Sequence, residues 1–102
     1  MSQKFLLRMN IPPSLEEEFM DALLSNSEIE GYQSWHTSGH GQVGAMSITE
    51  QVAGRRNRVL FEVVLDEGSL ESVLRTLKAR LPIADIIYWV LPVTAEGRFS
   101  EH

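Results

Sequence analysis

From Lys4 to Ile11 the chain alternates, with Phe5, Leu7, Met9 and Ile11 on one side and Leu6, Arg8 and Asn10 on the other. A period of two over that length predicts a half-buried strand, and Pro12-Pro13 stops it. The spacing then turns helical. Leu15, Phe19, Ala22 and Leu23 predict a first helix from Ser14 to Asn26. Ser14 followed by Glu17 has the form of a capping box, and Glu16, Glu17 and Glu18 place negative charge at the helix start. Beyond Gly31, the aromatic and Thr-containing stretch Tyr32 to Ser38 predicts a second strand. Glycines 39, 41, 44 and 54 then punctuate a segment without periodicity, read as a long loop with a short helical turn around Ser47 to Gln51. Connections of that length in a small domain are uncommon and usually functional or disordered. Arg58 to Asp66 alternates again, with Val59, Phe61, Val63 and Leu65 on one face. Gly68-Ser69 opens a second helix carrying Leu70, Val73, Leu74, Leu77 and Leu81, closed by Pro82. Asp85 to Val93 predicts a fourth strand that is apolar on both faces, and a polar tail runs from Thr94 to His102.

The order β, α, β, long loop, β, α, β predicts an α+β, ferredoxin-like βαββαβ domain. Two interleaved right-handed crossovers put both helices on one face of an antiparallel sheet. Strands one and three are central, and two and four are edges. The helix-free face would then carry Leu6, Leu60 and Val64 with half of the fourth strand, a large apolar patch for a monomer. An edge strand apolar on both faces also needs cover. Both features point to a symmetric oligomer.

Composition narrows the classes. The chain has 102 residues, 43% of them hydrophobic and 23% charged, which fits one domain with one core spanning residues 1–102. There is no cysteine, so disulfides, thiolate metal sites and Cys nucleophiles are excluded. The apolar run near the N-terminus is broken by Arg8 and Asn10, and nothing approaches the roughly 20 apolar residues of a membrane span. A cytoplasmic, non-membrane-inserted protein is the expectation. A net charge of −5 argues against nucleic acid as a partner. The local exception is Arg55-Arg56-Asn57-Arg58, too small for a duplex but large enough for one phosphate-bearing molecule or acidic partner.

GYQSWHTSGHGQ (Gly31 to Gln42), the long segment after it and the strand RVLFEVVLDE resemble the second strand and T-loop region of PII-like signal-transduction proteins. Gly39-His40-Gly41 matches their Gly-x-Gly at the T-loop entry, and the element order matches across nearly the whole chain. EQVAGRRNRV and YWVLPV resemble, more narrowly, a PII-like subfamily encoded beside heavy-metal resistance efflux systems. The resemblance implies a homotrimer, a nucleotide or other small ligand in clefts between subunits, and a loop (residues 39–54) that contacts a partner protein, in that subfamily a membrane efflux component. A regulatory or ligand-sensing protein rather than an enzyme is the expectation. Two departures stand out. The Gly-rich, Thr- and Lys-containing phosphate-gripping loop of PII proteins is replaced here by Leu81-Pro82-Ile83-Ala84, and the modified T-loop tyrosine is missing. Standard ATP and 2-oxoglutarate sensing are therefore not carried over.

The candidate ligand-binding residues are Gly39, His40, Gly41, Gln42, Arg55, Arg56, Arg58 and Arg98. Closely spaced glycines let backbone amides line an anion site, and guanidinium forks grip phosphate or carboxylate. Strand alternation points Arg56 and Arg58 the same way; the plainer alternative is a solvated loop end pairing with Glu50 or Glu62. Arg98 is the residue that the resemblance would bring to a neighbour's cleft. His36 and His40 are the candidate metal ligands, since imidazole suits Zn, Cu or Ni. On a continuous strand they stand ~13 Å apart, so chelation needs a bend at Gly39 or a second subunit. A metal-sensing accessory protein is thus a second reading, with a divalent metal rather than an adenine nucleotide as ligand. A small ferredoxin-like dimeric enzyme, using one His with Trp35, Tyr88 and Trp89 around a cavity, is a third. No nucleophile elbow, P-loop or paired acids accompany it.

Overall fold

The computed structural model describes residues 3–39, 56–82 and 85–100, with Arg56 by its backbone alone. Strand β1 (Lys4–Ile11) is followed by a 3-10 turn (Pro13–Leu15), helix α1 (Glu16–Leu24), strands β2 (Gln33–Gly39) and β3 (Arg56–Asp66), helix α2 (Glu67–Arg80) and strand β4 (Ile87–Val93). The sheet has the order β2-β3-β1-β4, and every neighbouring pair is antiparallel. This is the expected ferredoxin-like arrangement, with β1 and β3 central.

The alternation in β1 and β3 builds the core. Leu7, Met9 and Ile11 lie opposite Val63, Phe61 and Val59, and all six are buried. α1 adds Phe19, Ala22 and Leu23, and α2 adds Val73 and Leu77, residues three or four apart on one helical stripe. Phe61 is the hub. Its ring meets Phe19 at 5.0 Å and Tyr32 at 5.6 Å, both tilted, a geometry that suits the aromatic quadrupole.

The predicted capping box does not form. Ser14 lies inside the 3-10 turn, whose N-cap is Pro12, and Leu15 precedes α1 without any side-chain cap. Pro12 is extended and Pro13 starts the turn with its φ already fixed. The Leu15 amide then donates to the Pro12 carbonyl at 3.0 Å, so the chain is already helical at the position where a capping serine must be extended. Other boundaries move for reasons of pairing. β2 runs one residue on to Gly39 because Gly39 pairs with Arg56, which also begins β3 two residues early. β4 starts at Ile87 rather than Asp85, because the Asp85 carbonyl accepts from Arg58 at 2.6 Å. The predicted turn at Ser47 to Gln51 lies outside the described residues.

At the other end of the sheet, Lys4 bridges Asp66 at 2.9 Å and Glu96 at 3.5 Å, tying the start of β1 to the end of β3 and to the segment after β4. The hydrogen bond and charge of Asp66, with Glu96 adding to them, raise the pKa of Lys4 above its ordinary value.

Candidate functional site

The helix-free face follows from the strand registers. Successive rows set Lys4, Asp66 and Val93 side by side, then Leu6, Val64 and Leu91, then Arg8, Glu62, Trp89 and Gln33, then Asn10, Leu60, Ile87 and Trp35. Val64, Trp89, Leu91, Ile87 and Trp35 are large apolar side chains left exposed there, as the alternation predicts for an uncovered face.

Among the described residues, Arg8, Glu62 and Arg58 on this face are paired within the chain. The buried Glu62 carboxylate accepts from Arg8 Nε at 2.6 Å and from Gln33 Nε2 at 3.1 Å, so both oxygens are engaged. Arg58 is 4% exposed. Its Nη1 donates to Asp85 Oδ2 at 2.9 Å, Nη2 donates to the Asp85 and Asn10 carbonyls, and Nε donates to Asn10 Oδ1. Arg58 and Glu62 are the buried charged side chains among the described residues, and each is satisfied by hydrogen bonds as burial requires. Arg58 is therefore a tie between β3, β1 and the α2–β4 connection, not the open guanidinium expected from its place beside Arg56. The sequence reading missed its partners Asn10 and Asp85: the β1–β3 register brings Asn10 near, and Asp85 arrives only with the fold of the α2–β4 connection.

Above this tie, where β2 ends and β3 begins, the open face holds a hollow of about 370 Å³. Asn10, Thr37, Ser38, Gly39, Leu60 and Trp89 line it, with Arg8 at its side. Gly39 thus lies in a concavity at the base of the 40–55 segment. His40, Gly41, Gln42 and Arg55 lie outside the described residues, as does the Arg56 side chain. Arg98 is exposed in the segment after β4, away from the hollow along the chain. His36 is exposed on β2, and its Nε2 faces Glu16 of α1 at 3.2 and 3.3 Å. Among the described residues no group of three His, Asp or Glu side chains is placed to hold a metal ion. None of their helices is long and apolar enough to cross a membrane.

A four-stranded antiparallel sheet with both helices on one face and a long β2–β3 connection is a ferredoxin-like fold of the PII type. The chain belongs to the DUF3240 family of proteins of unknown function, whose model matches residues 1–100. Among solved structures it is similar to a DUF3240 family protein from Shewanella baltica, with a TM-score of 0.79 and 19% identity over 98% of this chain and 100% of that one. It is also similar to Arabidopsis thaliana PII bound to citrate, with a TM-score of 0.69 and 22% identity over 90% of this chain and 78% of that one. A Bacillus cereus protein related to NIF3 shares the fold at a TM-score of 0.69 and 16% identity, this chain covering 27% of it. No curated protein matches the sequence.

Proposed function

We propose that this protein is a non-enzymatic, PII-like regulator that assembles as a homotrimer through the open sheet face, binds an anionic small ligand at the base of its β2–β3 loop and signals through that loop. The observation that carries the reading is the open face itself. It is broadly apolar, yet Arg8, Glu62 and Arg58 already have partners within the chain, so a second copy can cover it without stranding a charge. The hollow beside Gly39 would then lie next to the contact between copies. A ligand there is held by the backbone of Gly39 to Gln42 and by Arg55 and Arg56, with Arg98 contributed by a neighbour and Arg58 positioning β3 from beneath. That the PII neighbour is bound to citrate favours an anion as the ligand class, and an adenine nucleotide belongs to that class. The 39–54 loop meets a partner protein in the cytoplasm, and the likeness of EQVAGRRNRV and YWVLPV to the efflux-linked subfamily favours a heavy-metal efflux component as that partner.

Light scattering on the eluting protein tests the assembly, and a single-chain mass overturns it. A thermal-shift panel of adenine nucleotides, cyclic nucleotides, citrate and divalent metals tests the ligand. One of the anions at 100 times its dissociation constant stabilises the fold by about 2.7 kcal/mol. A shift with a metal alone, removed by His36→Ala, would replace the anion with the metal-sensing reading.

A further inference from the structure

The helix side of the sheet carries a second concavity, on the opposite face from the open one. β4 is an edge strand and leaves Tyr88 40% exposed on this side. Between β4 and α2 runs a groove of about 360 Å³. Met9, Phe19, Leu74, Leu77, Leu81 and Ile86 form its walls, and no acidic side chain lines it. Two polar atoms stand at its mouth. Lys78 Nζ lies 3.2 Å from Tyr88 Oη and 4.9 Å from the centre of the Tyr88 ring. Among the described residues Nζ meets no carboxylate, although the chain carries 14 acids against nine Lys and Arg.

We propose that this groove binds an amphipathic monocarboxylate, its alkyl chain between α2 and β4 and its carboxylate on Lys78 and Tyr88. The volume lies in the range of small-molecule sites, which are mostly apolar with a few convergent polar groups. The donors fit one carboxylate. When Lys78 donates one proton to the Tyr88 oxygen, two remain on Nζ, and the phenol proton is free to donate to the second carboxylate oxygen. One ammonium and one phenol balance a single negative charge, whereas a phosphate would bring more charge and more acceptors than the groove meets. The stem of Lys78 extends along the apolar wall while its head stays at the mouth, as lysines at apolar edges do. Because the groove and the open face lie on opposite sides of the sheet, this site stands or falls apart from the proposed regulatory role.

Titration calorimetry of the full chain with decanoate, below its micelle concentration, tests the site against decanol as the neutral comparator. The expected result is one decanoate per chain, about tenfold tighter than decanol. Affinity should fall by about fourfold for each methylene removed on going to octanoate and hexanoate. Lys78→Met keeps the apolar stem and lies on the surface, so the fold is retained, as circular dichroism would verify. It should reduce decanoate to the decanol level and leave decanol unchanged, and Tyr88→Phe should weaken decanoate alone. Equal binding of acid and alcohol to the wild type, or indifference to Lys78→Met, overturns the proposal, and so does uptake of several decanoates without saturation. A second copy in the groove is the competing occupant. If Leu74→Trp, which fills the groove, lowers the mass of the assembly, the groove belongs to that contact and the carboxylate site is withdrawn.

Discussion

Arg58 and Asp85 share an ion pair but not an environment. The guanidinium is 4% exposed and the carboxylate 32%, so removing one partner is not equivalent to removing the other. In Asp85→Ala the charge left behind is the buried one, and an uncompensated buried charge costs about 3 kcal/mol. In Arg58→Met the carboxylate left behind reaches water, but Asn10 Oδ1 and the Asn10 and Asp85 carbonyls also lose their donor, so the loss should be at least as large, about 3 to 4 kcal/mol. Urea unfolding of the two variants at neutral pH measures the order. A clearly smaller loss for Arg58→Met would mean that water replaces the guanidinium at all three oxygens. The same pair shows where reading residues from the sequence stops. Arg58 was recognisable as one arginine of a cluster, and its type suggested an anion. Its partner is 27 positions away in the chain, on a turn that follows the second helix, and no periodicity relates the two. Glu62 is the same case, since its partner Arg8 is opposite it only through the β1–β3 register.

Elements were more legible than sites, because each is encoded by its own spacing. The bounds of β1 follow from a clean alternation ended by two prolines, and the buried stripes of α1 and α2 follow from positions three and four apart. What failed was the helix start. A Ser-x-x-Glu pattern describes side chains able to cap, whereas the backbone of Pro12-Pro13 decides whether the serine is extended enough to do so. Ser14→Ala accordingly tests the element, not the residue. An ordinary cap deletion costs about 1 kcal/mol, but Ser14 makes no cap hydrogen bond. The expected change in the urea midpoint corresponds to less than about 0.5 kcal/mol. A full cap-sized loss would show that the serine caps α1 in solution and that the 3-10 turn is not its resting start. Strand boundaries differed for a related reason. β2 and β3 extend toward the loop because they pair with each other at Gly39 and Arg56, and pairing is a property of two segments that neither carries alone.

At the scale of the whole molecule, the unequal treatment of the two sheet faces decides what the protein can do. One face is roofed by helices, and the other presents apolar rows among which Arg8, Glu62 and Arg58 already have partners. Each chain nevertheless carries a net charge of −5, so copies repel at long range and any association must come from the apolar rows at contact. Under the proposed trimer, Val64→Asp places a carboxylate at one end of such a row, beside Leu6, at a side chain 44% exposed in the single chain. Its effect separates assembly from folding. In an isolated chain the new charge remains hydrated and the stability changes by less than about 0.5 kcal/mol. In an assembly it is buried without a partner, and the copies should separate at micromolar concentration while the circular dichroism of each is unchanged. Lower salt should favour separation of the wild type as well, because the repulsion between acidic copies is then less screened. Light scattering on wild type and variant, at low and moderate salt, reads all of this directly. An assembly that survives Val64→Asp would mean that the copies meet elsewhere, and the open face would then need a different explanation for its paired charges.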